Sequence, residues 1–145
     1  IGTFYIVDDQ KLKLVGSYAF TRRKTTCNEW AFGQGLVGQA ALEKERLILT
    51  QVPQEYISIS SSLGKLAPTE VVVKPFIRDG QVIGVLELGS LQPFSEKELE
   101  FLDLVSDTIT VGLQTVLSHI KVQELLLQTH SAGFDALPGK EDLDS

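Results

Sequence analysis

The alternation of apolar and polar residues predicts a β-hairpin centred on Asp79-Gly80. An Asp-Gly pair favours a two-residue type I′ turn, because both central residues of that turn need a positive φ. Since side chains alternate across a strand, this turn puts Lys74, Phe76 and Glu87 on one face of the hairpin. We therefore predict an ion pair between Lys74 and Glu87 on the face opposite the terminal helix. If that site is dry, removing one partner should cost about 3–5 kcal/mol.

Hydrophobic periodicity in the rest of the chain predicts a second hairpin, a short helix, a brief strand and a long terminal helix. In chain order the segments before residue 70 are hairpin strands at 4–7 and 12–20, a polar connection at 21–29, a helix at 35–46, a strand at 47–50 and an irregular segment at 52–69. In the second strand, Leu12, Leu14 and Tyr18 are expected on one face. Two hairpins favour an antiparallel sheet.

The terminal helix has a complete start signal. Ser95 is a good N-cap, and Glu98 completes a capping box with it. Phe94 and Leu99 occupy the positions of a hydrophobic staple. The helix is expected to reach about Thr129, a length of roughly 50 Å, whereas a small domain is about 30 Å across. It is apolar on more than one side, so it needs a partner beyond its own sheet.

Apolar residues continue near coiled-coil spacing in the distal part of this helix. They are Leu113, Val116, Ile120 and Leu127, and Gln123 stands where a further apolar residue would fit. This pattern predicts a parallel homodimer through the terminal helix. Because a polar residue in such a seam lowers stability, the pairing is expected to be marginal rather than tight.

Composition and charge narrow the classes of partner. The 145 residues include 13 Lys and Arg against 19 Asp and Glu, which gives a formal net charge of −6. Nucleic acids and anionic membranes reward clustered positive charge, so neither is an expected partner. The single cysteine excludes an intrachain disulfide and fits a reducing, cytoplasmic compartment. We expect one domain over residues 1–130 and a flexible tail or linker over 131–145.

Three stretches of the chain resemble GAF domains, and most closely those of bacterial sensor histidine kinases. They are the glycine-rich helix entry at 32–41, the loop at 52–64, and the last strand at 84–90 followed by Pro93-Phe94-Ser95. The resemblance covers roughly residues 2–129. It implies an α+β fold, with an antiparallel sheet that has a long C-terminal helix on one face and a short helix plus loops on the other. The N-terminal helix of the family has no counterpart in this sequence.

The resemblance implies a sensory module that passes a signal from a small ligand, or a conformational signal, along its C-terminal helix to an output domain. A GAF domain without a ligand, kept as a dimerisation spacer, is the alternative. An enzyme is the third and weakest candidate. Free methionine sulfoxide reductases share the GAF fold and use several cysteines, whereas this chain has only Cys27.

The sequence indicates no cofactor. Residues 33–38 form a G-x-G-x-x-G string, but a dinucleotide site needs a preceding buried strand in a parallel βαβ unit, so a turn into a helix is the better interpretation. Cys27 could be a reactive thiol, a metal ligand or a chromophore attachment point, but an ordinary loop residue is the better interpretation. Bilin-binding GAF domains typically have a His beside that Cys, and here Asn28 follows it. His119 and His130 lie on the distal helix, far from Cys27 in sequence, so metal and haem sites are not expected.

The candidate ligand-binding residues belong to the predicted sheet and to the loop before it. They are Tyr18, Tyr56, Ser60, Lys74, Phe76 and Glu87. Two interpretations stay open for Lys74 and Glu87, which either form a structural ion pair or line a polar pocket. The serines around Ser60 are either loop hydrogen-bonders or ligand donors.

Overall fold

The computed structural model describes residues 1–19, 28–53, 55, 59–61 and 64–135. Their elements, in chain order, are β1 (Gly2–Asp8), β2 (Lys11–Tyr18), β3 (Glu29–Ala31), α1 (Gly35–Glu43), β4 (Leu47–Leu49), β5 (Ile59–Ser61), β6 (Gly64–Leu66), β7 (Glu70–Arg78), β8 (Gln81–Ser90) and α2 (Glu96–Asp135). The chain divides into two compact units, residues 1–111 and residues 112–145. The first contains the sheet, α1 and the start of α2, and the second contains the rest of α2.

The strands of the described residues form one large and one small antiparallel sheet. The large sheet has six strands in the order β3-β2-β1-β8-β7-β4, and β5 pairs with β6 in the small one. Both predicted hairpins are confirmed. In the turn between β1 and β2, Asp9 and Gln10 have φ of 51° and 58°, and in the turn between β7 and β8, Asp79 and Gly80 have φ of 50° and 74°. The two turns therefore have the positive φ values that a type I′ turn requires.

The predicted register of the second hairpin is wrong beyond a β-bulge. Ile83 is an extra residue in β8, so that Lys74 pairs with Leu86 and Glu87 pairs with Val73. A shift of one residue moves a side chain to the other face of a sheet. Lys74 and Glu87 therefore lie on opposite faces, and the predicted ion pair between them does not form.

A second bulge separates the side chains of β2 that the sequence groups together. Val15 is unpaired between the pairs that Leu14 and Gly16 make with β1. Past this bulge, Tyr18 lies on the opposite face from Leu12 and Leu14. The expectation that these three side chains share one face is wrong for Tyr18.

The two faces of the large sheet have different cores. We call them the α1 face and the α2 face, after the helix that packs on each. On the α1 face, the buried cluster consists of Tyr5, Leu12, Val37, Ala40, Ala41, Val71, Val73, Val82 and Val85. On the α2 face, Phe76 is fully buried and its ring lies 5.5 Å from that of Phe4, edge to face. The α+β class, the antiparallel sheet and the placement of the two helices on opposite faces agree with the prediction.

The start of α2 confirms the predicted capping box. The Glu98 backbone N–H donates to Ser95 Oγ at 3.2 Å, and the Ser95 backbone N–H donates to Glu98 Oε2 at 2.7 Å. The Ser95 backbone N–H and, at 3.0 Å, the Ser95 hydroxyl both donate to Glu98 Oε2 and stabilise its ionised form, so the pKa of Glu98 lies below its ordinary value. The helix ends at Asp135, beyond the predicted end near Thr129. None of the helices in the described part of the chain is apolar enough over a sufficient length to cross a membrane.

Short elements account for the remaining differences from the predicted segments. Strand β3 begins at the last residue of the predicted polar connection, and β5 and β6 lie in the predicted irregular segment. Each has three residues, too few for a period of two to be visible in the sequence. Helix α1 ends at Glu43 instead of Arg46, because Lys44 adopts the left-handed conformation that closes a helix.

Candidate functional site

The predicted ligand-binding residues do not form a single site. Lys74 and Phe76 of β7 lie on the α2 face, and Glu87 of β8 lies on the α1 face. Tyr18 points to the α2 side but is 79% exposed at the end of β2. Of these four residues, only Lys74 and Phe76 are brought together on one buried surface.

Two further candidates precede β7 in the sequence. Ser60 lies in β5, where it pairs in register with Lys65 of β6. Tyr56 lies outside the described residues. The proposed role of these two residues as ligand donors stays a prediction.

A buried carboxylate stands among apolar neighbours on the α1 face. Glu87 is 6% exposed, and its Oε2 accepts a hydrogen bond from the Thr3 hydroxyl at 3.1 Å. Strand β1 aligns Thr3 with Glu87 and Tyr5 with Val85, so both Thr3 and Tyr5 share this face. Burying a carboxylate is costly unless polar groups surround it, and such residues are concentrated at functional sites.

Sequence reasoning identified Glu87 as a candidate but missed Thr3 and Tyr5. Their proximity depends on the pairing of β1 with β8, which joins residues more than 80 positions apart. Period-two alternation identifies which side chains of one strand share a face, but it does not identify the neighbouring strand. No local signal in the sequence therefore links Thr3 to Glu87.

A buried donor lies elsewhere on the same face. Among the described side chains, Trp30 Nε1 is buried and has no hydrogen-bond acceptor. The Trp30 ring packs against the backbone of Gly35, where α1 begins. Trp30 aligns with Leu12, and Leu12 aligns with Val7, which is four residues along β1 from Thr3. At about 3.3 Å per residue this is an offset of about 13 Å along the strands, so Trp30 and Glu87 do not share one small contact site.

The α2 face contains a carboxylate that joins two basic side chains. Asp103 of α2 accepts from Lys74 Nζ through Oδ1 at 3.0 Å and from Arg46 Nη1 through Oδ2 at 2.8 Å. The hydrogen bond from Lys74 is the main reason that the pKa of Asp103 lies below its ordinary value, and its partial burial opposes that change. We call Arg46, Lys74 and Asp103 the ionic bridge.

The sequence predicts neither contact of Asp103. The carboxylate lies one residue after Leu102 on the side of α2 that packs on the sheet, and Ser106 follows on the same side. A charged residue within the apolar stripe of a helix is the signal that could have identified it, because such a residue needs a partner. Its two partners come from distant segments, so the signal does not name them.

The described side chains offer binding and mechanical contacts. No three His, Cys, Asp or Glu residues in the described ranges lie close enough together to hold a metal ion. Cys27, the one thiol of the sequence, lies outside those ranges. His119 and His130 both belong to the second unit.

Comparisons with known proteins agree on one family and one fold. A family model described as the GAF domain matches residues 1–114. No curated protein matches this chain significantly in sequence.

Among solved structures, two GAF domains and one enzyme illustrate the fold. The GAF domain of a two-component sensor histidine kinase from Bacillus halodurans is 19% identical with a TM-score of 0.64, over 81% of this chain and 83% of that one. The GAF domain of a phosphoenolpyruvate-protein phosphotransferase from Coxiella burnetii is 21% identical with a TM-score of 0.62, over 86% and 74%. The type II free methionine-R-sulfoxide reductase from Thermoplasma acidophilum is 24% identical with a TM-score of 0.55, over 77% and 76%. At these identities the likeness shows a shared fold alone.

Proposed function

We propose that this chain, which belongs to the GAF domain family, is the sensory module of a cytoplasmic bacterial signal-transduction protein. Its output domain is that of a histidine kinase in a two-component system, as in the Bacillus halodurans protein whose GAF domain shares this fold. The observation that carries the proposal is α2, which is bonded to the sheet near its start and continues as one helix to Asp135. A helix of this kind can pass a change at the sheet to a following domain.

The ligand site of this proposal is the α1 face around Glu87 and Thr3. A ligand can shift the protein between two states only by its differential affinity for them. Glu87 is suited to that task, because a buried carboxylate interacts strongly with any polar group that reaches it.

Native mass spectrometry of the full chain, purified under mild conditions, tests this site. We expect a co-purifying small molecule in the unaltered protein and its loss in Glu87→Gln. Glu100→Gln, which removes an exposed carboxylate from α2, is the matched control and should retain the molecule. Retention by Glu87→Gln would contradict the proposed site.

The second candidate function is a dimerisation spacer that binds no ligand. It is favoured by the exposed apolar side chains of the second unit, which include Val116, Ile120 and Leu127. A mass spectrum without any bound molecule, together with a stable dimer, would support this function over sensing.

Either function includes a parallel homodimer through α2. Sedimentation equilibrium at tens of micromolar should show a dimer that Ile120→Glu dissociates, because a charge at that position would lie in the seam. Gln128→Glu adds the same charge outside the seam and should leave the dimer intact. A monomer across this concentration range would contradict the proposed dimer.

We further propose that the chain is not a sulfoxide reductase, although it shares its fold with such enzymes. Reduction of a sulfoxide by a thiolate leaves a sulfenic acid, which a second cysteine of the same chain can resolve as a disulfide. The sequence has one cysteine, so no intramolecular disulfide can form and only an external thiol could reduce the sulfenic acid. An assay with free methionine sulfoxide and dithiothreitol supplies that thiol, and we expect no turnover even there. Turnover that Cys27→Ser abolishes would contradict the proposal.

A further inference from the structure

The ionic bridge connects three elements that do not follow one another in the sequence. Arg46 lies between the end of α1 and the start of β4, Lys74 lies in β7, and Asp103 lies in the second turn of α2. Each carboxylate oxygen of Asp103 contacts a different cation, at 2.8 Å and 3.0 Å. Asp103 therefore ties α2 to the sheet through Lys74 and to the end of α1 through Arg46.

Arg46 lies beside the edge strand of the sheet, so the ionic bridge links the two faces around that edge. Strand β4 is the outermost strand beside β7, with Leu47 aligned to Val73. Helix α1 covers one face of the sheet, and its last turn is separated from Arg46 by Lys44 and Glu45 only. A displacement of the end of α1 can pass to Arg46 through these two residues, and the Arg46 side chain reaches Asp103 of α2 on the other face.

We propose that the ionic bridge couples α1 to α2, so that a change on the α1 face alters the seating of α2 through Arg46 and Asp103. This inference deepens the proposed sensory function and rests on it, because it names the contact by which the signal passes between the faces. Lys74 is the fixed support of the bridge, and Arg46 is the part that moves with α1.

The polar character of this contact favours an interaction that can change its geometry over a fixed one. The side chain of Asp103 is 47% exposed, and the α2 residues buried beside it are the small polar Ser106 and Thr110. The Ser106 and Thr110 hydroxyls donate to carbonyls of their own helix, at 2.8 Å and 2.6 Å. Neither hydroxyl therefore bonds α2 to the sheet, whereas Lys74 of the bridge does.

The test destabilises the end of α1 and measures hydrogen exchange in α2, with no ligand present. Leu42 is an exposed residue in the last turn of α1, so Leu42→Gly and Leu42→Ala both remove its side chain, and only the glycine weakens the helix. Hydrogen exchange at the end of α1 should be about fivefold faster in Leu42→Gly than in Leu42→Ala, which corresponds to about 1 kcal/mol. Amides around Asp103 should then exchange at least about twofold faster as well, the lower limit of typical coupling through packed contacts.

Without the ionic bridge, the faster exchange around Asp103 should disappear, whereas the faster exchange at the end of α1 should remain. In an Asp103→Asn background, the glycine variant should still speed exchange at the end of α1, and exchange around residue 103 should no longer follow it. Arg46→Gln should have the same effect, because it removes the link to α1. The support from Lys74 stays in place in this variant. Asp107→Asn is the control, since it removes the same charge from an exposed position one turn later and should preserve the coupling.

Two results would overturn the inference. One is an unchanged response of α2 in the Asp103→Asn background, and the other is the absence of a response in the unaltered background. Because the experiment uses no ligand, it can fail while ligand binding in the mass spectrum succeeds. The failure of the coupling and the failure of the sensory function are thus distinguishable.

Discussion

The two faces of the large sheet hold their helices by different means. Helix α1 buries Val37, Ala40 and Ala41 against a cluster of valines and leucine, and its backbone approaches β3 closely. On the α2 face, by contrast, α2 buries Ser106 and Thr110 and makes the ionic bridge, while large apolar side chains such as Leu104 point to solvent. The short helix is therefore seated by close packing of small apolar residues, whereas the long helix combines partly buried apolar residues with polar contacts.

This difference determines how each helix can respond to a disturbance. Close-packed interiors resist small changes of volume, because each side chain has little space to move. Ion pairs that are partly exposed, such as those of Asp103, contribute little stability because solvent screens their charges. We infer that the α1 face fixes the fold, whereas the α2 face permits the adjustment that signalling requires.

The largest expected effect tests whether the α1 face contains the core of the fold. Leu12 is 0% exposed in β2, so Leu12→Ala should lower the free energy of unfolding by about 2–5 kcal/mol through lost burial and a cavity. Leu104 of α2 is 72% exposed, and Leu104→Ala should change that free energy by no more than about 0.5 kcal/mol. Urea denaturation of both variants measures the contrast. A cost for Leu104→Ala equal to that of Leu12→Ala would contradict it.

A glycine in α1 provides the next test. A Cβ at Gly38 would lie 2.4 Å from the carbonyl oxygen of Ala31, which is a backbone atom that cannot turn aside. Gly38→Ala should therefore destabilise the protein by about 1–3 kcal/mol, although alanine is the better helix former. The thermal midpoint of unfolding should fall accordingly. A neutral or stabilising effect would show that α1 is not held tightly against β3.

The comparison also explains which features the sequence predicts well. The type I′ turn at Asp79-Gly80 and the capping box at Ser95 and Glu98 are local, so a few neighbouring residues determine them. The bulge at Ile83 depends on how β8 fits its neighbours, and it reverses the predicted relation of Lys74 to Glu87. A single unpaired residue was therefore enough to turn a correct hairpin into a wrong site.

The polar partners in the two candidate sites could not be predicted from the sequence for a similar reason. Thr3 meets Glu87, and Arg46 meets Asp103, across sequence separations of 84 and 57 residues. A hydrophobic pattern shows that a charged residue in a buried stripe needs a partner, but it carries no information on which distant segment supplies it. The helices and most strands are thus predictable from sequence, and the contacts that join them are not.

The start of α2 gives a third difference between the helices. Helix α1 has no side-chain hydrogen bond at its N-cap Gln34, whereas α2 has the reciprocal pair between Ser95 and Glu98. Ser95→Ala should therefore cost about 1 kcal/mol of stability, since it leaves the Glu98 N–H without its acceptor. Circular dichroism during denaturation measures the loss, and Ser118→Ala in the middle of α2 is the control. If both variants behave alike, the cap does not stabilise α2.

A glycine in α2 should respond in the opposite sense to Gly38. Nothing lies within 4 Å of a Cβ placed at Gly112, so an alanine meets open space there. Gly112→Ala should stabilise the protein by about 0.5–1 kcal/mol, because glycine loses more backbone entropy than alanine in a helix. The same substitution would then have opposite signs in the two helices. Destabilisation measured by urea denaturation would show that this part of α2 is covered in solution.

The smallest expected effect concerns pH, and it isolates the ionic bridge itself. Because Lys74 lowers the pKa of Asp103 in the folded state, the folded protein binds this proton less readily than the unfolded chain. The contribution of the carboxylate is therefore complete above the unfolded pKa of about 3.9 and disappears as the pH falls through the lower folded value. The difference in unfolding free energy between the unaltered protein and Asp103→Asn should be constant from pH 7 to pH 5 and should shrink in stronger acid.

Since Asp103 is half exposed, added salt at pH 7 should also reduce this difference by screening the charges. A difference that persists unchanged in both acid and salt would mean that Asp103 stabilises α2 through packing, and the two faces would then be held by the same means.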